Sequence, residues 1–137
     1  MSAEVFLDAN ILLYACSAAP ADTVKRERAQ ALMIEERFAL SAQVLQEFIA
    51  NALRKKALGL TEATIDAALE LAGQVPVQPI TRELVVEAVA LRRRYKLSQW
   101  DATILAAARA LGCHTLYSED LNHGQDYDGV RVVNPFV

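Results

Sequence analysis

Short apolar runs alternate with longer amphipathic stretches along this chain, a pattern that predicts strands each followed by one or two helices. Val5-Phe6-Leu7 is the first run and stops at Asp8; residues 11–15 then form a short helix with Asn10 as its cap. Pro20, Ala21 and Asp22 interrupt the chain, and Asp22 caps a helix to about residue 36 that buries Val24, Ala31, Leu32 and Ile34. Phe38-Ala39-Leu40 makes the second strand. Ser41 opens a helix to about residue 57 whose apolar stripe runs through Val44, Leu45, Phe48, Ile49, Ala52 and Leu53, until Gly59 stops it. Thr61 caps a helix reaching about residue 73, residues 75–80 form a proline-interrupted strand at a sheet edge, and Thr81 caps the next helix. Ser98 starts another, apolar almost all round from 102 to 111, which Gly112 ends. Residues 113–117 are a strand, 118–128 a polar loop and 130–133 the last strand.

Strands alternating with helices predict an α/β fold, three layers α/β/α with a mostly parallel central sheet. The N-terminal strand leads straight into a helix, which suits a central position. At 137 residues the chain is read as one domain, 1–137, able to bury a core without disulfides or a structural metal.

Composition narrows the function. The net charge of −3 and pI near 5.4 argue against attraction to nucleic acid through the whole-molecule field, so a polyanion must be met by local patches. Two candidates exist, Arg54-Lys55-Lys56 and Arg92-Arg93-Arg94, each near a helix end where cations also favour the dipole. Cys16 and Cys113 lack metal-ligand spacing, no secretory pattern opens the chain and no run approaches membrane-spanning length, so a cytoplasmic protein with reduced thiols is expected. A hydrophobic fraction of 53% leaves apolar surface for a partner, and a homodimer is expected.

The chemistry lies in four acids, Asp8, Glu47, Asp101 and Asp120. Each sits by a strand end or on a following helix, the edge at which an open α/β sheet forms its ligand crevice. Each also has an ordinary reading: a turn or cap for Asp8, a helix-surface glutamate for Glu47, a capping arrangement with Ser98 for Asp101, an Asx turn for Asp120. Gathered in one cleft they would repel one another, and no lysine or histidine adjoins any of them in sequence, so a divalent cation is the simplest remedy. The two histidines lack HxH, HExxH or cysteine company, which argues against zinc.

Three segments, Val5-Phe6-Leu7-Asp8-Ala9-Asn10 with its following helix, Leu97-Ser98-Gln99-Trp100-Asp101-Ala102, and Leu116-Tyr117-Ser118-Glu119-Asp120-Leu121, occur in this order with 41–48 between the first two. Together they resemble the PIN-domain family, and the chain is similar to VapC-type toxin ribonucleases. The resemblance implies a parallel sheet that gathers the acids at one end. It assigns Asp8, Glu47, Asp101 and Asp120 to the family's four acidic positions, with Asn10 and Ser118 in support. It further implies a metal-dependent endoribonuclease in which Mg²⁺ or Mn²⁺, held by these carboxylates, activates the water that hydrolyses an RNA phosphodiester. Asp8, Glu47 and Asp101 would contact the metal, with Asp120 assisting a second ion or orienting water. A cognate antitoxin is the implied partner. Many members carry threonine, a second aspartate and then phenylalanine where this chain has Ser118-Glu119-Asp120-Leu121, which leaves open how Glu119 and Asp120 divide their labour. The two basic clusters would form an RNA-binding rim.

A haloacid-dehalogenase-like phosphatase requires a second aspartate where Asn10 stands, and a receiver domain requires a lysine after a later strand, absent from His114-Thr115-Leu116-Tyr117-Ser118. The remaining alternative is a non-catalytic PIN-like dimer that binds RNA or protein with silent acids.

Overall fold

The computed structural model describes residues 2–137. Strand β1, Val5–Leu7, is followed by helix α1, Ala9–Cys16, and helix α2, Thr23–Glu35. Strand β2, Phe38–Ser41, leads into α3, Ala42–Arg54, and α4, Glu62–Ala72. The short β3, Val77–Gln78, precedes α5, Arg82–Tyr95, and α6, Gln99–Ala110. Strands β4, Thr115–Tyr117, β5, Asp126–Tyr127, and β6, Val130–Val133, complete the chain.

The sheet order is β3-β2-β1-β4-β6-β5. All neighbours are parallel except the β5–β6 pair. β1 lies in the interior of the sheet, as expected of an N-terminal strand that leads straight into a helix, and every residue of β1 and β2 is buried, which requires cover on both faces. The chain leaves β1 toward β2 on one side and returns to β4 on the other. The crevice beyond the carboxyl ends of β1 and β4 is therefore the topological switch point, where open sheets of this kind place ligands.

Helix α1 packs against both α2 and α3, and α5 packs along α6, which in turn lies against β2, β4 and β6. One core joins Phe6, Leu7, Ile11, Val44, Phe48 and Leu105. Residues 102–108 of α6 are all buried, in line with their apolar sequence; the one hydroxyl among them, Thr103, donates to the Gln99 carbonyl at 2.8 Å. Ser41, Thr61, Thr81 and Ser98 cap their helices as expected, each accepting from a backbone N–H three residues on. Among the described residues no helix is long and apolar enough to cross a membrane.

Several local expectations differ. Asp8, not Asn10, is the cap of α1, accepting from the Ala9 N–H at 2.7 Å, so the helix starts earlier and Asn10 lies within it. Val24 and Ile34 are 79% and 84% exposed, because the face of α2 that meets the core is centred on Ala29 and Leu32. Helix α3 ends at Arg54, a separate 3-10 turn spans Lys56–Leu58, and Leu53 is exposed. The loop expected at 118–128 contains β5, joined to β6 by a two-residue turn with Asp128 and Gly129 both at positive φ, 51° and 97°.

Candidate active site

Asp8 is fixed from both sides. It follows β1, whose ladder continues through the Asp8 N–H to the Tyr117 carbonyl at 3.0 Å, and its side chain is only 4% exposed. One carboxylate oxygen accepts from the Ala9 N–H and the other from the Ser118 hydroxyl, both at 2.7 Å. Burial, assisted by the charges of Asp120 and Glu47, pushes the Asp8 carboxyl up to about 7 even though both hydrogen bonds act in the opposite sense. Among the described residues no ion pair involves Asp8.

Ser118, after β4, links the first acid to the last: its hydroxyl donates to Asp8 and accepts from the Asp120 N–H at 3.1 Å. The Asn10 amide donates to the Asp120 carboxylate at 3.1 Å. Glu47 comes from α3, where Gln43, one turn earlier, donates to it at 3.1 Å. The same Gln43 amide donates to the Trp100 carbonyl at 3.0 Å, which ties α3 to the start of α6. Asp101, half-buried in the first turn of α6, is raised by burial and by the Asp120 charge, against a lowering hydrogen bond from Ser98.

Asp8 thus feels the charges of Asp120 and Glu47, and Asp101 feels that of Asp120. Asp8, Asn10, Glu47 and Asp120 line a cleft of about 330 Å³ together with Tyr14, Asp22, Asn51, Lys55 and Glu119. Asp101 stands beside this cleft rather than in its wall. The ion pairs found among the described residues are Lys25–Glu119, Arg94–Asp128 and Arg109–Glu87, so none of the four acids is neutralised by a basic side chain.

The donor set suits a hard cation. Its atoms are carboxylate oxygens, and beside them the buried Asn10 Oδ1 has no hydrogen-bond partner. Among the described residues no group of three or more His, Cys, Asp or Glu side chains is placed to hold a metal ion. Mg²⁺ keeps several waters and takes one or two carboxylates plus substrate phosphate, and the cleft-lining Asp8, Glu47 and Asp120 are donors of that type.

Glu119 is placed differently from Asp120. It accepts from the Tyr14 hydroxyl at 2.8 Å and from Lys25 Nζ at 3.1 Å, and Lys25 sits 4.5 Å from the centre of the Tyr14 ring. Of the basic residues read from sequence, only Lys55 lines the cleft. Arg54 donates to Asn51 at 2.5 Å. In the other cluster Arg94 pairs with Asp128 at 3.4 Å, and the buried Arg92 Nε has no partner.

Gln43, Tyr14, Lys25 and the cleft-lining Asp22 were not singled out as site residues by sequence. Gln43 offered one signal, its position four residues before Glu47 on the same helix face. Tyr14 and Lys25 offered none, because their shared partner Glu119 lies far along the chain.

The fold is similar to that of the Mycobacterium tuberculosis VapC20 toxin, which cleaves the sarcin-ricin loop, at 24% identity and TM-score 0.69 over 85% of this chain and 89% of that one. It is similar to a toxin-antitoxin complex chain from Klebsiella pneumoniae at 25% identity and TM-score 0.64, covering 96% and 97% of the two chains. VapBC2 from Rickettsia felis, bound to a promoter DNA fragment, matches at 17% identity and TM-score 0.65 over 93% and 96%. No curated protein gives a significant match. The family model described as PIN domain matches residues 5–125, and with the sheet order and the acids at its switch point it shows that this chain belongs to the PIN-domain family.

Proposed function

We propose that this protein is a metal-dependent endoribonuclease, the toxin of a toxin–antitoxin pair, acting in the cytoplasm on RNA phosphodiester bonds. The observation that carries this reading is that Asp8, Glu47 and Asp120 line one cleft, with Asp101 beside it, without one compensating ion pair. An arrangement so unfavourable in isolation fits a site completed by a hard cation.

Asp8, Glu47 and Asp101 would hold Mg²⁺ or Mn²⁺, with Asp120 completing the set. When bound, the ion supplies positive charge that eases ionisation of a water and offsets negative charge developing on the phosphate. The chain's own contribution is to hold its oxygens ready. Ser118 and the Ala9 N–H fix both oxygens of Asp8, Asn10 orients Asp120, and Gln43 restrains Glu47. Neither histidine is required, and Lys55 offers the cleft wall a positive contact for the RNA backbone.

An antitoxin as partner is supported by the toxin-antitoxin complexes among the similar structures. Exposed aliphatic side chains such as Val24, Ile34 and Val86 are compatible with that partner and with a homodimer. The test is RNA cleavage by the purified protein: activity with Mg²⁺ or Mn²⁺, none with chelator, and a loss of about 10³-fold in Asp8→Asn, equivalent to several kcal/mol of transition-state stabilisation. Cleavage by Asp8→Asn at the wild-type rate would remove the assignment.

A further inference from the structure

The single tryptophan of the chain occupies an unusual place. Trp100 is 69% exposed, immediately before Asp101 in the first turn of α6. Its backbone is held beside the acidic cleft, because its carbonyl accepts from the Gln43 amide at 3.0 Å and that amide also donates to the cleft-lining Glu47 at 3.1 Å. Gln43 is itself only 5% exposed. A buried side chain thus anchors, through one nitrogen, both a cleft carboxylate and the residue that carries the exposed indole.

RNA approaching this edge meets an electrostatic difficulty. Glu47, Asp101 and Asp120 repel its phosphates, and Lys55 is the one lysine or arginine among the residues lining the cleft. Where charge contacts are unfavourable, a neutral aromatic face still binds nucleic acid, since every base presents a π surface and stacking is largely independent of sequence. Stacking needs an unpaired base; a duplex keeps its bases within the helix.

Resting on the nuclease reading above, we propose that Trp100 is a stacking platform for one unpaired base next to the scissile phosphate, so that the substrate is single-stranded at the cut. Gln43 is then a positioning residue, setting the platform and Glu47 together. The indole supplies substrate affinity and takes no part in bond breaking.

The sole tryptophan also reports on its own contact. Intrinsic fluorescence is followed as short oligoadenylate or oligouridylate is added to the full-length protein in chelator, where no cleavage occurs. Quenching is expected with either single strand, and not with the adenylate–uridylate duplex. Trp100→Ala should weaken single-strand binding by about 5- to 150-fold, the span of one stacked base, with Trp100→Phe restoring most of it. In cleavage assays with metal, Trp100→Ala should raise KM far more than it lowers kcat.

Equal affinity in wild type and Trp100→Ala, or no binding of either single strand by the wild type, would overturn the proposal. So would a fluorescence change that follows protein concentration without RNA, which would mark the indole as a protein contact. Quenching by single strands without any cleavage in metal would leave the platform standing and defeat the nuclease reading, so the two failures are distinguishable.

Discussion

The loop after β4 places two acids side by side, and the fold gives them contrasting surroundings. Glu119 accepts from the Tyr14 hydroxyl and from Lys25, so its charge is balanced within a structural cluster that also includes the Phe136 ring, 5.3 Å from Lys25 Nζ. Asp120 receives only the neutral amide of Asn10 on its carboxylate, while its N–H is held by Ser118, the residue that also holds Asp8. A carboxylate with a lysine is a means of fastening helix α2 and the end of α1 to the loop. A carboxylate near other carboxylates and met only by neutral donors keeps its charge unbalanced. On the proposed nuclease reading, one turn of chain would serve stability through Glu119 and chemistry through Asp120.

The largest effect should separate these two neighbours. Asp120→Asn is expected to lower RNA cleavage by about 10²- to 10³-fold, the scale seen when one directly acting polar group is lost from a catalytic site. Glu119→Gln should cost less than about tenfold in activity. Its main effect should be on stability, up to about 1 kcal/mol, because Lys25 and Glu119 are both partly exposed and such pairs are weak. Parallel kinetics and thermal unfolding of the two variants check this; equal kinetic losses would erase the functional contrast between them.

This contrast was only half legible in the sequence. Ser41, Thr61, Thr81 and Ser98 could be read as caps because a cap is a local event, satisfied within three residues. β1 and β2 could be read as strands from their short apolar runs, and both are buried throughout, as a doubly covered sheet requires. Asn10 resisted the same reasoning. It has the chemistry of a cap, yet Asp8 takes that position and leaves Asn10 to a partner 110 residues away. Glu119 and Asp120 could not be told apart, because what distinguishes them is Lys25, brought in by a helix 94 residues earlier.

The exposed Val24 and Ile34 illustrate another limit: the buried face of an amphipathic helix is chosen by its neighbours, here through the contact of α2 with α1. By contrast, β5 was available to a closer reading. Asp128-Gly129 is a favoured two-residue hairpin pair, and Tyr95 secures it by donating to the Asp128 carboxylate at 2.6 Å.

The next effect concerns stability and pH. Asp8 has a folded-state pKa of about 7 against an ordinary value of 3.8, so between these values the folded protein binds a proton that the unfolded chain has lost. Its contribution is therefore most favourable to folding at and below the lower value, declines as pH rises through the window, and reaches its full cost above about 7. A shift of this size corresponds to at most about 4 kcal/mol. Metal-free wild type should lose stability across the window, whereas Asp8→Asn should lose much less and be the more stable of the two at alkaline pH. Added Mg²⁺ should restore the wild type there and leave Asp8→Asn nearly unaffected. Identical pH profiles of denaturant unfolding for the two proteins would show that burial of Asp8 carries no such cost.

The smallest effect concerns the rim, and it sharpens the contrast between balanced and unbalanced charge. Arg94 is already engaged by Asp128 and lies 5.5 Å from the Tyr95 ring, while Lys55 lines the cleft without an ion-pair partner among the described residues. A cation free to meet a phosphate releases counterions on binding; one committed to a neighbouring carboxylate has less to offer. Lys55→Ala should therefore reduce the slope of log affinity against log salt for single-stranded RNA by about 0.7, the value of one phosphate contact. Arg94→Ala should leave that slope nearly unchanged and slightly loosen the hairpin it holds. If instead the slope falls with Arg94→Ala and not with Lys55→Ala, RNA approaches over α5, and the positive rim belongs to the other face of the acidic edge.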